Sequence, residues 1–350
     1  MLKLLKKKSE GLIMKFNIFL KIISLLVSIL IFATACATKE NFNESSITNI
    51  SSKVNSSPSA SLISSTSESC NDILYNDLLS EIQQKGKTVT ALGDLTNTKY
   101  KNDLLELNEI LNSYSREISL VAYSLNNKKA VYYNTEASLF CACTVKAAYS
   151  LFACKEMDKG NGSLETVMTY EKKHYEPGTG DMQYKSFGTS FKMETIIDKS
   201  MRISDNVGYL MMVDYFGRDK YNNFIGELGC SSLQIKPTVW SLKAKAKDLA
   251  FLWREIYKYF KQNQKHSEFL YNSCTNTPDN YATLALGDIN YSHKQGHNNT
   301  ADWPAYSDAG IVWGENPYII VILTNSLGPN DEVKNTISKA IKIINNKLFK

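Results

Sequence analysis

The amino-acid sequence predicts an α+β fold, in which helices flank an antiparallel β-sheet. Strand-like segments lie at 117–134 and again at 289–325, and the residues between them have the periodicity of helices. A last amphipathic helix comes after the second group of strands. This order of strands, helices, strands and helix indicates a helical lobe inserted between the first and last strands of one sheet.

The first 35 residues have the pattern of an export signal. Lysines precede an almost unbroken apolar stretch at 22–32, and three small residues then lead to Cys36. Small residues ahead of a cysteine are typical of a bacterial lipoprotein signal, since they fit the signal peptidase and the thiol accepts the lipid. We expect residues 1–35 to be removed and Cys36 to anchor the protein to the cell membrane, outside the cytoplasm. An uncleaved membrane anchor and a start at Met14 are the alternatives.

Residues 36–69 differ in composition from the rest of the chain. They are rich in Ser, Asn and Thr and show no apolar period. Such a segment is typical of a flexible tether, here between the membrane and the domain. The folded domain is therefore expected at 70–350, and the chain's 43% hydrophobic content is enough for a large core.

Each element of the domain has a local signal. The predicted elements are helices at 71–84 and 101–114, a β-hairpin at 117–134, a helix from about Cys143 to Met157, helices at 191–201, 205–216, 219–228 and 244–260, strands at 289–297, 305–314 and 317–325, and a helix at 331–349. Apolar residues at helical spacing predict the helices, with Asn71 as a possible N-cap of the first. Alternation of apolar and polar residues predicts the hairpin, which turns at Asn126-Asn127.

Charge and cysteine content exclude several functions. The net charge is +5, and beyond residue 8 no run of Lys and Arg exceeds two, which argues against a nucleic-acid partner. Besides Cys36 the chain has six cysteines, an even number that permits disulfides in an exported protein. A bridge between Cys141 and Cys143 would be strained, and Cys154 fits an apolar helix as core. No CxxC or Cys/His cluster suggests zinc, so we expect no metal and no cofactor.

Three short motifs carry the chemistry. The first is Cys143-Thr-Val-Lys146, at the start of a predicted helix, where the helix dipole favours an anionic nucleophile. Lys146 lies three residues on and therefore on the same helical face. The second motif is Ser204-Asp-Asn, and the third is Lys294-Gln-Gly in a predicted strand.

In this order the motifs resemble SxxK, SDN and KTG of the class A β-lactamase and penicillin-binding serine hydrolase family. The resemblance covers roughly 115–350, including the hairpin before the first motif and the strand pair "SDAGIVWGENPYIIVILT" after the third. It implies a β-lactamase/transpeptidase-like fold and an acyl-enzyme mechanism. Cys143 would be the nucleophile and Lys146 its base, and Ser204 would pass a proton to the leaving nitrogen.

The resemblance also implies the residues that hold the substrate. They are Asn206 for the substrate amide, Lys294, Gln295 and Gly296 for a substrate carboxylate, and the backbone N–H groups of Cys143 and His297 for the oxyanion. The expected substrates are amides near a carboxylate, namely cell-wall peptides, protein amides or β-lactams.

The chain departs from the family pattern in three ways. Cys143 stands where the family has serine, and Gln295 stands where a hydroxyl is usual. Between Asn206 and Asp248 the only glutamate is Glu227, at a helix end, so the usual base for lactam hydrolysis is missing. Acyl transfer or slow hydrolysis fits this set better than antibiotic destruction. The alternative is a non-catalytic pseudoenzyme that binds cell-wall peptide or a partner protein.

The remaining candidates are histidines and one tyrosine. We expect His266 to be a solvated loop residue. His293 and His297 flank the third motif and, four residues apart on a strand, face the same side, so either could take part in catalysis. Tyr175 precedes the turn "EPGTG", where the family has a loop at the rim of the site, and is a candidate for substrate contact.

Overall fold

A six-stranded antiparallel β-sheet joins the two ends of the folded domain. The structure is a computed structural model that describes residues 78–237, 242–275, 277 and 280–350. These residues belong to one compact unit, Ser69–Lys350. The predicted signal peptide, the lipidated Cys36, the tether and the first part of the predicted helix at 71–84 lie outside the described residues, so those expectations stay predictions.

Strands and helices alternate irregularly along the domain. The strands are β1 (Thr90–Gly93), β2 (Ile118–Ser124), β3 (Lys129–Tyr133), β4 (Leu139–Phe140), β5 (Val167–Thr169), β6 (Ser190–Lys192), β7 (Lys243–Ala244), β8 (Tyr291–Asn298), β9 (Ala305–Val312) and β10 (Tyr318–Thr324). The α-helices are α1 (Leu78–Glu81), α2 (Lys101–Asn112), α3 (Val145–Asp158), α4 (Met193–Arg202), α5 (Asn206–Phe216), α6 (Arg218–Glu227), α7 (Ala246–Lys261), α8 (Ser267–Thr275), α9 (Tyr281–Leu286) and α10 (Asp331–Ile343). A 3₁₀ turn at Ala142–Thr144 precedes α3, and a π-helical turn at Ile344–Leu348 comes after α10.

The main sheet confirms the predicted fold class. Its strand order is β1-β3-β2-β10-β9-β8, and every neighbouring pair is antiparallel. Strands from the two ends of the domain pair at its centre, where Val121 of β2 lies opposite Val321 of β10. Helices α3 to α9 are inserted between β3 and β8, as the predicted helical lobe requires.

Both faces of the central strands are covered. Successive side chains of a strand point to opposite faces. Val121 therefore packs into the core that includes Trp253 of α7, whereas its neighbour Leu120 packs into the core that includes Leu111 of α2 and Ile337 of α10. This arrangement explains why every residue of β2 and β10 is buried.

The prediction that His266 is a solvated loop residue is wrong. Its side chain is only 4% exposed. Nδ1 of His266 lies 2.6 Å from Oδ1 of Asp158, and the other oxygen of Asp158 accepts the hydroxyl of Tyr259 at 2.6 Å. The carboxylate of Asp158, at the end of α3, thus contacts both the imidazole, which directly precedes α8, and the hydroxyl of Tyr259 on α7.

The described cysteines are all free thiols, namely Cys141, Cys143, Cys154, Cys230 and Cys274. Cys154 is fully buried, as predicted for a core position. Within the described part of the chain, no helix combines the length and the hydropathy that a membrane span needs.

Replacement of Ile337 tests the packing of α10 on the sheet. Because Ile337 is fully buried, Ile337→Ala should lower the free energy of unfolding by about 2–5 kcal/mol. Lys339→Ala, at an exposed position of the same helix, should change it by less than about 0.5 kcal/mol. Urea unfolding measures both, and equal losses in the two variants would contradict this packing.

Candidate active site

Cys143 lies on a short turn of the chain. It occupies the 3₁₀ turn Ala142–Thr144, directly before α3 and not within it. Thr144 stabilises the turn, since its hydroxyl donates a hydrogen bond to the carbonyl of Cys141 at 2.9 Å. Ala142 has a φ of 46°, in a region that non-glycine residues avoid. Cys143 is half-buried whereas Cys141 is fully buried, so Cys143 is the more exposed of these two residues.

Lys146 is a buried cation in the first turn of α3. Its side chain is 2% exposed. The ammonium donates to the backbone carbonyl of Ser204 and, at 2.7 Å, to Oδ1 of Asn206. Burial lowers the pKa of Lys146, and the nearby Cys143 and Asp205 act in the opposite direction. The second motif thus supplies the acceptors that a buried ammonium requires.

The second motif lies where a loop enters α5. Ser204 has a φ of 57°. Asp205 is the buried N-cap of α5, and its two oxygens accept the N–H groups of Gly208 and Met182, each at 2.9 Å. Because both oxygens accept hydrogen bonds from backbone N–H groups, Asp205 has a structural role and holds the loop in place. The amide of Asn206 donates to the carbonyl of Pro177 at 3.1 Å.

Lys294 approaches the same serine from the sheet. It lies on β8 with 2% exposure and donates to Oγ of Ser204 and to the carbonyl of Gln295, the latter at 3.0 Å. Burial lowers the pKa of Lys294 to about 8, although Cys143 acts to raise it. Ser204 therefore lies between two lysines, as the sequence predicts. Lys294 contacts its hydroxyl, but Lys146 contacts its backbone carbonyl.

The two lysines lower the pKa of the nucleophile. Burial alone would raise the pKa of the Cys143 thiol, but Lys146 and Lys294, with hydrogen bonds from Lys146 and Thr179, lower it below the ordinary value. Burial raises the pKa of Cys141 to about 12. Since the thiolate is the reactive form, Cys143 is the activated thiol of this pair.

Gly296 brings the edge strand β8 against the nucleophile turn. A Cβ atom at this position would lie 2.4 Å from the carbonyl oxygen of Cys141 and 2.7 Å from the backbone nitrogen of Cys143. Real side chains do not make such contacts, so this approach requires glycine. It places the backbone of β8, which continues into the exposed His297, beside the N–H of Cys143.

A cavity of about 100 Å³ opens beside these groups. It is lined by Thr179, Arg202, Ile203, Ser204, Thr277, His293, Lys294, Gln295 and His297. At roughly 30 Å³ for one water molecule, it holds a substrate end group and not a whole substrate. Two lining residues, Arg202 and Lys294, are cationic and none is acidic, which suits a carboxylate, although Arg202 also pairs with Asp198 at 2.8 Å.

Some residues of the site belong to no motif, and Tyr175, which the sequence singles out, is not among the residues that line the cavity. Thr179 donates to the carbonyl of Ser204 at 2.6 Å, and Thr277 lines the cavity, but no sequence pattern marks either of them. Tyr175, two residues before Pro177, is exposed, and its ring contacts that of Phe187. His174 is buried and bonded to Asp214 at 3.2 Å, so its contacts are structural.

Replacement of Gly296 tests the contact between β8 and the turn. Gly296→Ala should push the strand away from Cys143 and slow alkylation of this thiol at least about tenfold, because the lysines on β8 and α3 then lose their alignment with it. The control is Gly226→Ala on α6, where the nearest atom to the new Cβ is 3.6 Å away. Equal alkylation rates in the two variants would contradict the contact.

The pH dependence of alkylation tests the electrostatic assignment. The folded-state pKa of Cys143 is lowered, so its reaction with iodoacetamide should rise at lower pH than that of an ordinary thiol. Lys146→Met removes one of the two cations that oppose the effect of burial, so the pKa of Cys143 should rise. The alkylation rate at pH 7 should then fall about tenfold or more. Lys159→Met, at the exposed end of α3, is the control. An unchanged pH profile in Lys146→Met would show that the lysine does not activate the thiol.

Comparisons with known proteins agree with this architecture. The model of the Beta-lactamase enzyme family matches residues 105–348. No curated protein sequence matches the chain. Among solved structures, PBP-A is 18% identical, with a TM-score of 0.64, over 70% of this chain and 95% of its own. A mutant of PBP-A is known as an acyl-enzyme complex with penicillin G.

Two further structures are similar to the same degree. A β-lactamase from Chitinophaga pinensis is 22% identical, with a TM-score of 0.62, over 69% of this chain and 98% of its own. A class A β-lactamase representative from Bacteroides cellulosilyticus is 17% identical, with a TM-score of 0.60, over 71% and 98%. At these identities the structures share a fold, and the family match extends over most of the sequence. The chain belongs to the β-lactamase enzyme family.

Proposed function

We propose that this protein is an extracytoplasmic, lipid-anchored acyl-enzyme hydrolase or acyltransferase that cleaves amide bonds with Cys143 as its nucleophile. The observation that carries the proposal is the convergence of Lys146 and Lys294 on Ser204, beside a half-buried thiol of lowered pKa. The three groups come from a helix, a loop and an edge strand, and membership of the β-lactamase family supports their use in acyl transfer.

Acylation needs only groups at this site. The thiolate of Cys143 attacks the amide carbonyl carbon, and the backbone N–H groups of Cys143 and His297 bind the oxyanion. As the C–N bond breaks, the leaving nitrogen takes the hydroxyl hydrogen of Ser204, and the ammonium of Lys294, which donates to Oγ of Ser204, replaces it. The product is a thioester on Cys143 and a free amine.

The substrate class is inferred from the charge of the cavity. Lys294 and Arg202 line it together with the amide of Gln295, so a carboxylate near the scissile amide is the expected anchor. Asn206, which already contacts Lys146, would hold the amide of the substrate. Cell-wall peptides, protein amides and β-lactams all carry this combination of groups.

The second step separates this protein from a fast β-lactamase. No residue that lines the cavity is acidic, so the carboxylate that usually activates the hydrolytic water is missing there. The thioester is therefore passed to an acceptor amine or hydrolysed slowly. A thioester suits such transfer, because a thiolate is a better leaving group than an alkoxide.

A non-catalytic binding module is the second candidate. It is favoured by the replacement of two family positions at once, with Cys143 for serine and Gln295 for a hydroxyl residue. In that case the cationic cavity would bind a carboxylate without reaction, and cell-wall peptide or a partner protein would be the ligand.

Mass spectrometry of the intact protein distinguishes the two. Incubation with penicillin G, or with a small thioester that carries a terminal carboxylate, should add one acyl group to the wild type. Cys143→Ala should remove this adduct completely, whereas Cys141→Ala should retain it, because that neighbouring thiol is fully buried. An adduct that survives in Cys143→Ala, or a wild type that binds these compounds but never acquires their mass, argues against the enzyme.

A further inference from the structure

A buried imidazole–carboxylate pair lies in the wall of the cavity and has no part in the acylation step. His293 of β8 and Asp308 of β9 each have side chains that are 1% exposed, and Nδ1 of His293 lies 2.9 Å from Oδ1 of Asp308. Withdrawing a carboxylate from water is costly unless donors replace the water. The two side chains therefore need hydrogen-bond partners, and these partners show which nitrogen of His293 carries the hydrogen.

The hydrogen bonds determine which nitrogen of His293 carries the hydrogen. Asp308 accepts the N–H of Ala309 at 2.9 Å and that of Tyr281 at 3.3 Å, besides the contact with the imidazole. With the carboxylate as acceptor, Nδ1 of His293 is the donor and Nε2 presents its lone pair. Nε2 contacts the hydroxyl of Thr277, which is therefore the donor in that bond.

In this order of hydroxyl, imidazole and carboxylate, the imidazole is the general base and takes the hydrogen of the hydroxyl. The imidazole is also held in orientation by Tyr291, whose ring stacks on it at 4.6 Å with an interplanar angle of 10°. The oxygen of Thr277 keeps its lone pairs for a group in the cavity, because its own hydrogen is committed to His293.

This relay opens on the cavity of the proposed reaction. Thr277 and His293 line it together with Ser204 and Lys294, and two residues after Lys294 the strand reaches the nucleophile turn, where a Cβ on Gly296 would lie 2.7 Å from the backbone nitrogen of Cys143. Among the residues that line the cavity, His293 is the one imidazole backed by a buried carboxylate. It therefore lies in the wall of the cavity that opens beside the turn of Cys143.

We propose that Thr277, His293 and Asp308 accept the proton of the water or primary amine that attacks the thioester on Cys143. The inference rests on the proposed function and supplies the base that its second step lacks. The acceptor forms a bond to the carbonyl carbon and gives its proton to Oγ of Thr277, whose own hydrogen passes to Nε2 of His293. The C–S bond breaks, and the Cys143 thiolate leaves beside the ammonium of Lys146. Asp308 stabilises the imidazolium, which then returns its proton to solvent.

The test separates formation of the acyl adduct from its loss. The carboxylate-bearing thioester loads Cys143, excess donor is removed, and intact mass tracks the decay of the adduct in buffer with and without glycine as an amine acceptor. Thr277→Val and His293→Gln should lose the adduct about a hundredfold more slowly, the lower end of the range for a general base, and slow its formation far less, because the relay gives and takes no proton in acylation. Thr277→Ser restores the hydroxyl and should decay within a few-fold of the wild type.

His266→Gln is the matched control, since it removes another buried imidazole that is paired with a carboxylate, that of Asp158, and lies outside the residues that line the cavity. It should leave both rates unchanged. Decay at the wild-type rate in Thr277→Val overturns the relay, and so does an equal fall of acylation and decay in His293→Gln, which indicates a structural role alone. If the wild type forms no adduct, the proposed function fails and the relay fails with it. Normal adduct formation and normal decay in all variants refute the relay only.

Discussion

Two buried ammonium groups that meet at one serine are the constraint on which the site depends. Lys146 and Lys294 are both 2% exposed and contact the carbonyl and the hydroxyl of Ser204. Two like charges out of water repel each other, so the arrangement is stable only with acceptors and an anion nearby. The acceptors are backbone, amide and hydroxyl oxygens, and the two lysines lower the pKa of the Cys143 thiol, which favours its anionic form. Cys143 in turn acts to raise the pKa of both lysines, so replacing any of the three shifts the pKa of the others.

Much of the fold is predictable because its central elements bury continuous surfaces. Strands β2 and β10 and helices α7 and α10 have strong apolar patterns, and all four lie where the patterns predict. The short pairs β4–β7 and β5–β6, of two or three residues per strand, carry no period that a sequence could reveal. Helix α9, of six residues, and strand β1, of four, escape sequence-based prediction for the same reason of length. The burial of His266 is not predictable because its partner, Asp158, comes from a distant helix.

The candidate site divides in the same way. Cys143, Lys146, Ser204, Asn206 and Lys294 are identifiable from three motifs, and the structure brings them together. Thr179 and Thr277 are not, since only the folded chain places these hydroxyls beside the motifs. Backbone strain at the site is a further feature that the motifs do not reveal. Of the four non-glycine residues with positive φ in the described chain, two are Ala142 and Ser204. The backbone conformation of each such residue costs about 1–3 kcal/mol of folding free energy. The surrounding packing must therefore enforce these two conformations at the site.

The contrast between Cys141 and Cys143 has a consequence for oxidative chemistry. A thiolate exposed to peroxide is converted to a sulfenic acid, and a second cysteine nearby ordinarily condenses with it to form a protective disulfide. Cys141 is two residues away, but its pKa of about 12 and complete burial keep its sulfur protonated and out of reach. A sulfenic acid on Cys143 thus forms no disulfide with Cys141. Its reduction depends on small thiols or reductases in the surrounding medium.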